Sequence, residues 1–268
     1  MTVSSIGIAN TVGRTRQKMK SYKNLYEKLI SEENIKEAIA NAYKGKDKKH
    51  DKKARLLRLK KNPDNVEIVR NWIINYKPTY HKPTEIYDGI KQKKRIIYVP
   101  TLKETVIQHA LVQILDNCLG KSFYEHSYAA VKGKGQHKAK DYIFNYIKTN
   151  PDKIDYFFKM DIKKYFPSVP KKILMQKLRK YIHDWKVLKL VEDNLYVGDN
   201  VDGLPLGFYI SQWFANWYLT KIDHSIKEKF CIKLYIRWMD DIVIFSSNKL
   251  DLYKYRDIIK KELFHIGL

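Results

Sequence analysis

Apolar residues recur at helical spacing through the first part of the chain. Leu25, Leu29, Ile30, Ile35 and Ile39 predict a helix over 22–43, with Ser31 placed to cap it at a break. Val66, Val69, Trp72 and Ile73 share one face of a second helix over 66–76. Pro78 and Pro83 then punctuate a loop, and KRIIYV (94–99), closed by Pro100, reads as a strand. The clearest amphipathic helix spans 104–119, where Ile107, Ala110, Leu111, Ile114, Leu115 and Cys118 form a stripe. Gly133 and Gly135 mark a turn before a helix over 137–147. Tyr156, Phe158 and Met160 alternate with their neighbours up to Asp161, the pattern of a strand. A turn at Pro167, a helix from about Pro170, and a 203–207 loop feeding a helix through Tyr218 follow. Residues 231–246 predict a hairpin, with Ile232, Leu234, Ile236 and Trp238 alternating and 242–245 returning. Helices interleaved with strands distant in sequence, and no internal repeat, predict an α+β fold.

Composition adds a partner. The 268 residues carry 52 Lys+Arg against 29 Asp+Glu, a formal net charge of +23. Such an excess opposes compaction unless a polyanion neutralises it, so nucleic acid is the expected partner. Residues 1–60 hold 16 basic and 6 acidic side chains, densest in the lysine run 44–61. That run reads either as a solvated face or as a phosphate contact. The first twenty residues contain no acid and are expected to form a basic arm, a transit peptide being the less favoured reading. Apolar stretches are too short for a bilayer span, so no membrane partner is expected. Cys118 and Cys231 match no metal-ligand spacing, which fits two thiols in a reducing, cytoplasmic setting.

Three segments carry candidate chemistry. FKMDIKKYFPSV (158–169) brings Asp161 to a strand end, where a lone acid is ordinarily a turn-former. RWMDD (237–241) sets Asp240 and Asp241 side by side at a hairpin tip, where their carboxylates repel unless a cation lies between them. Oxygen-only ligands suit magnesium, which takes few protein carboxylates and keeps positions for phosphate oxygens. GLPLGFYISQWFAN (203–216) is a Gly-Pro-Gly loop opening an aromatic helix, by itself an ordinary turn into a core element.

In this order and setting, the segments resemble the reverse transcriptase family. FKMDIKKYFPSV looks like its motif A, GLPLGFYISQWFAN like motif B and YIRWMDDIVIF like motif C. KRIIYVPTLKETVIQHALVQIL and SYAAVKGKGQHKA resemble its fingers motifs, so the likeness covers about 22–268. It implies a right-hand polymerase with an antiparallel palm sheet and flanking helices, 21–155 mainly fingers and 156–268 mainly palm. It implies RNA-directed DNA synthesis from an RNA template and a DNA or RNA primer with dNTPs. Asp161, Asp240 and Asp241 would be the catalytic residues and hold two magnesium ions roughly 3.5–4 Å apart, Asp241 as the accessory ligand. Phe166 takes the steric-gate position that rejects a ribose 2′-hydroxyl. Lys94 and Arg95 resemble the residues that clamp the triphosphate. Leu206, Gly207 and Trp238 would complete the nucleotide site, and Ser211 and Gln212 would contact template or primer. His137 reads as a helix-start or core histidine rather than a catalytic one.

Two departures narrow the resemblance. Group II intron and retron enzymes usually read Q-G-x-x-x-S-P in motif B, whereas this chain has Leu206 before Gly207 and Ser211-Gln212. That pattern is similar to the reverse transcriptases of diversity-generating retroelements, bacterial or phage-encoded enzymes that copy a template-repeat RNA with errors at adenines. They work with a small basic accessory protein. Trp238 replaces the usual Tyr of motif C, which leaves the dNTP contacts open. The final HIGL resembles motif D, so a thumb is expected to be missing from the sequence, as in a fragment. The alternatives are a defence-associated or group II intron-like enzyme, or a catalytically weak RNA-binding scaffold.

Overall fold

The computed structural model describes residues 21–44, 50–89, 92–197 and 202–268. The basic arm expected at 1–20 and part of the lysine run lie outside the described residues. The first predicted helix forms as two, α1 (Leu25–Leu29) and α2 (Glu32–Tyr43), and Ser31 Oγ accepts from Asn34 N at the break (3.3 Å). The second half of the lysine run is helix α3 (His50–Lys61), with Leu56 and Leu59 turned inward. Helix α4 is Asn65–Ile74.

The hub is α5 (Leu102–Leu119). Its start is fixed by a reciprocal cap: Thr101 Oγ accepts from Glu104 N (3.2 Å), and the Glu104 carboxylate accepts from Thr101 N (2.8 Å). The predicted stripe is buried, but so are Thr105, Gln108 and Val112 on other sides. The reason is that α1–α4 and a later helix, α10, surround α5, leaving little of it to solvent.

Between α4 and α5 lies a two-stranded ribbon, β1 (Thr84–Asp88) against β2 (Lys93–Ile97). Only β2 was expected, and it ends at Ile97 rather than Val99. After helix α6 (Gln136–Thr149) comes a three-stranded antiparallel sheet in the order β3-β5-β4: β3 (Tyr156–Asp161), β4 (Leu234–Trp238), β5 (Asp241–Ser246). Helices α7 (Tyr165–Ser168), α8 (Lys171–Arg179), α9 (Trp185–Leu195) and α10 (Tyr209–His224) connect β3 to β4. Helix α11 (Lys249–Phe264) returns against β5 and β3. The sequence reading did not assign α9 and α11, and α10 extends past Tyr218. Among the described residues no helix is long and apolar enough to cross a membrane.

The alternation expected for β4 fails. Leu234 and Ile236 are buried, but Tyr235 and Arg237 are buried too, while Trp238 is 40% exposed. The free edge of β4 is covered by the 126–128 segment, through Arg237 N to His126 O (3.1 Å) and Tyr128 N to Arg237 O (3.0 Å). Both faces of the strand are therefore inside.

Candidate active site

The sheet register assembles the carboxylates. Asp161, the last residue of β3, lies directly opposite Asp241, the first of β5, and Asp241 also faces Trp238 across the hairpin. Opposed residues share a face, so Asp161, Asp241 and Trp238 project to the same side of the sheet. Met239 and Asp240 form the two-residue turn between the strands, and Met239 adopts φ +57°. Positive φ at the first central position of such a turn normally selects glycine, so a non-glycine here is held by its surroundings.

The hold comes from Arg237. Its guanidinium is fully buried, and all five N–H directions are used. Nε and Nη2 donate to the two oxygens of Asp223 on α10 (2.7 and 2.6 Å). Nη1 donates to Asn216 Oδ1 (2.7 Å) and to the Met239 carbonyl (3.0 Å), and Nη2 to the Asn216 carbonyl (3.3 Å). Tyr235 OH donates to Asp223 Oδ1 (2.6 Å), and Asn216 Nδ2 donates to Ala129 O (2.6 Å). Burial would lower the arginine pKa, but Asp223 outweighs it, so the guanidinium stays charged. The Met239–Asp240 turn is thereby fastened to α10 from beneath. Sequence reasoning missed this network. The available signal was an arginine inside an apolar strand, a position that calls for a buried acid.

Electrostatics at the surface differ among the three acids. Burial holds the Asp240 carboxyl above its ordinary value; its own backbone N–H and Arg95 pull it down, while Asp241 and Asp161 push it further up. Asp241 forms an ion pair with Lys159 Nζ (3.0 Å), two residues before Asp161 on the same face. Among the described residues no three His, Cys, Asp or Glu side chains are gathered closely enough to hold a metal ion without rearrangement.

Loop 203–208 binds this sheet to the ribbon. Leu204 N donates to Phe166 O (2.7 Å), and Tyr98 N to Leu206 O (2.7 Å). Gly207 has φ +100°, and a Cβ there would lie 2.2 Å from the Tyr98 carbonyl oxygen; at Gly203 (φ +79°) it would lie 2.4 Å from that of Pro167. Both glycines are required by backbone packed on backbone. At Gly207 the close neighbour is strand-end Tyr98. Phe166 is half-buried, its ring edge-on to Tyr165 at 5.9 Å.

The remaining expected site residues separate. Lys94 pairs with Glu85 (2.7 Å) on one face of the ribbon, whereas Arg95, on the other, acts electrostatically on Asp240. Ser211 is fully buried and its Oγ has no partner, so it lies under the cleft rather than in it. Gln212 and Trp238 line a cavity of about 640 Å³ that none of the three carboxylates lines, where His109 stacks on Tyr209 (4.4 Å) and the buried Gln113 amide has no partner. His137 is exposed in the first turn of α6.

The family model for reverse transcriptase (RNA-dependent DNA polymerase) matches residues 80–268, which include all three carboxylates. The chain belongs to the reverse transcriptase family. Two solved structures share its fold. Telomerase from Candida tropicalis, apo and truncated of its C-terminal domain, is 19% identical with a TM-score of 0.52, covering 74% of this chain and 51% of that one. Telomerase from Candida albicans in complex with a fragment of telomeric RNA is 16% identical with a TM-score of 0.50, covering 70% and 39%. This reverse transcriptase chain thus spans about two fifths to one half of those structures. No curated protein matches it significantly.

Proposed function

We propose that this chain is the fingers and palm of an RNA-directed DNA polymerase, 21–155 mainly fingers and 156–268 mainly palm. The observation that carries the reading is the register that brings Asp161 opposite Asp241, with Asp240 in a braced turn between them. The donor set fits divalent cations. All three side chains offer oxygen, and the raised Asp240 carboxyl, crowded by Asp161 and Asp241, is in the condition that a cation relieves. Asp161 and Asp240 would be the principal ligands, with Asp241, paired to Lys159, the accessory one. Two magnesium ions held there would activate the primer 3′-hydroxyl and neutralise charge on the leaving pyrophosphate.

The chain's own groups supply the rest. Arg95, which acts electrostatically on Asp240, would orient the triphosphate, whereas Lys94 is engaged with Glu85. Phe166, its backbone fixed by Leu204, stands as the ring that excludes a 2′-hydroxyl, and Gln212 and Trp238 line the cleft for template and primer. Leu206 offers no side-chain hydrogen bond to a base or sugar. Lost polar readout weakens discrimination by about 1–3 kcal/mol, which supports an error-prone enzyme of the diversity-generating kind, acting with a small basic accessory protein.

Primer extension on an RNA template with magnesium and single dNTPs tests both levels. Asp240→Ala should abolish extension while leaving the thermal transition in place; extension at the wild-type rate would overturn the polymerase site. Leu206→Gln should lower misincorporation opposite template adenines, read by sequencing the products. An unchanged error spectrum would remove Leu206 from the account of fidelity.

A further inference from the structure

A second cavity, of about 600 Å³, opens between the ends of α5 and α8 and the last turns of α10; it shares no lining residue with the 640 Å³ cavity and is lined by none of the three carboxylates. Lys121, Lys177, Lys221 and His224 line it, and no acidic side chain does. Lys177 is the innermost of the four. Its ammonium donates to the Tyr218 carbonyl (3.1 Å) and lies over the Trp217 and Tyr218 rings, 4.7 and 5.4 Å from their centroids, while Asp223 acts on it electrostatically. Burial, with Lys221 adding to it, lowers the Lys177 pKa to about 8, so an anion in the cavity would be bound with a gain in ammonium charge. His224 faces acceptors at both ring nitrogens, Glu228 Oε1 (2.7 Å) and the Ser122 carbonyl (2.9 Å). Burial opposes its charge, but those two bonds raise its pKa and favour the imidazolium.

Helix ends account for only part of this charge. Three helix C-termini would present about −1.5 charges in all, against three ammonium groups and one imidazolium. A surplus of positive charge remains in a concave site with room for a tetrahedral oxyanion.

We propose that this cavity binds a backbone phosphate of an RNA strand outside the catalytic cleft. Phosphate oxyanion is the chemistry the four cations recognise. RNA is its source on the reading that this chain works on RNA templates, and Lys121 and Lys221 are exposed on the rim, where a passing strand can reach them. Such a contact would hold template away from the carboxylates and retain it between rounds of synthesis.

The test uses the full chain with Asp240→Ala, so that binding is read without turnover and independently of the polymerase reading. Labelled single-stranded RNA is titrated by fluorescence polarisation over a range of salt, with and without the added pair Lys121→Gln/Lys221→Gln. Losing the contact to this one phosphate should reduce the slope of log affinity against log salt by about 0.7. In parallel, inorganic phosphate should raise the thermal midpoint relative to chloride at equal ionic strength, and the double substitution should abolish that rise. If the phosphate effect is lost but the RNA slope is unchanged, the site takes free phosphate or nucleotide and the RNA assignment is overturned. If the double substitution changes thermal stability alone, the lysines serve the helix ends and the site itself is overturned. Lys177→Gln in the same assays, scored on folded protein, should show the larger loss of the phosphate effect.

Discussion

Among the described residues are two β-hairpins, each with an ion pair, and they are built in opposite ways. In the β1–β2 ribbon, Lys94 and Glu85 meet on a face where both side chains are more than half exposed. In the β4–β5 hairpin, Arg237 meets Asp223 of α10 with both at zero exposure, and the guanidinium donates to three further acceptors. An exposed pair contributes about 0–1 kcal/mol, whereas breaking a buried one costs about 3–5 kcal/mol because it strands a charge. The difference teaches where rigidity is needed. The hairpin that carries the carboxylates is fixed to the core; the one that carries Arg95 is held mainly by its own ladder and by the seam at Tyr98.

The largest effect should come from Arg237→Met, which leaves Asp223 buried without its partner. A loss of about 3–5 kcal/mol in urea unfolding is expected. Where the variant stays folded, primer extension should lose kcat more than dNTP affinity, because the Met239 carbonyl is released. A loss under 1 kcal/mol would break the comparison.

A smaller, pH-dependent effect should come from Asp240→Asn. The folded chain holds the Asp240 proton to higher pH than the unfolded chain does, so between the two pKa values it binds more protons. The contribution of Asp240 to the stability of metal-free protein is therefore greatest at low pH and is lost as pH rises through the raised value. Asp240→Asn should flatten that fall and melt higher at neutral pH, and magnesium should restore the wild type but not the variant. Melting curves across pH 3–8 in chelator check both. The smallest effect is expected for Lys94→Gln, within about 1 kcal/mol in stability. Substituting Arg95 instead should raise the KM for dNTP; equal KM effects for the two residues would erase the distinction drawn between the faces of β2.

Much of this architecture was legible from pattern. The carboxylates, the hairpin that carries two of them and the helix split at Ser31 follow from periodicity and motif order, because burial on one side leaves a period in the sequence. What escaped did so for physical reasons. Strand β1 is exposed on both faces, so TEIYD has no buried side to betray it, and only pairing with β2 defines it. Strand β4 is buried on both faces, so alternation misled about Tyr235 and Arg237. Helices α9 and α11 were legible but unread: Val187, Leu190, Val191 and Leu195 lie at helical spacing behind an Asp184 cap. Ser211 carried the opposite lesson. Its place in motif B suggested contact with template or primer, yet it is buried while its neighbour Gln212 is exposed, since adjacent helical positions point about 100° apart.

The meeting of Tyr98 with Leu206 and Gly207 has a mechanical consequence. The ribbon continues directly into the strand end that donates to Leu206, and the absent side chain at Gly207 lets the two main chains touch. Any swing of the ribbon about Val99 and Pro100 must carry the 203–208 loop with it or break that hydrogen bond. The loop is in turn tied to Phe166 through Leu204. The β1–β2 ribbon and Phe166 are thus linked like two ends of a lever, with the glycine as its bearing.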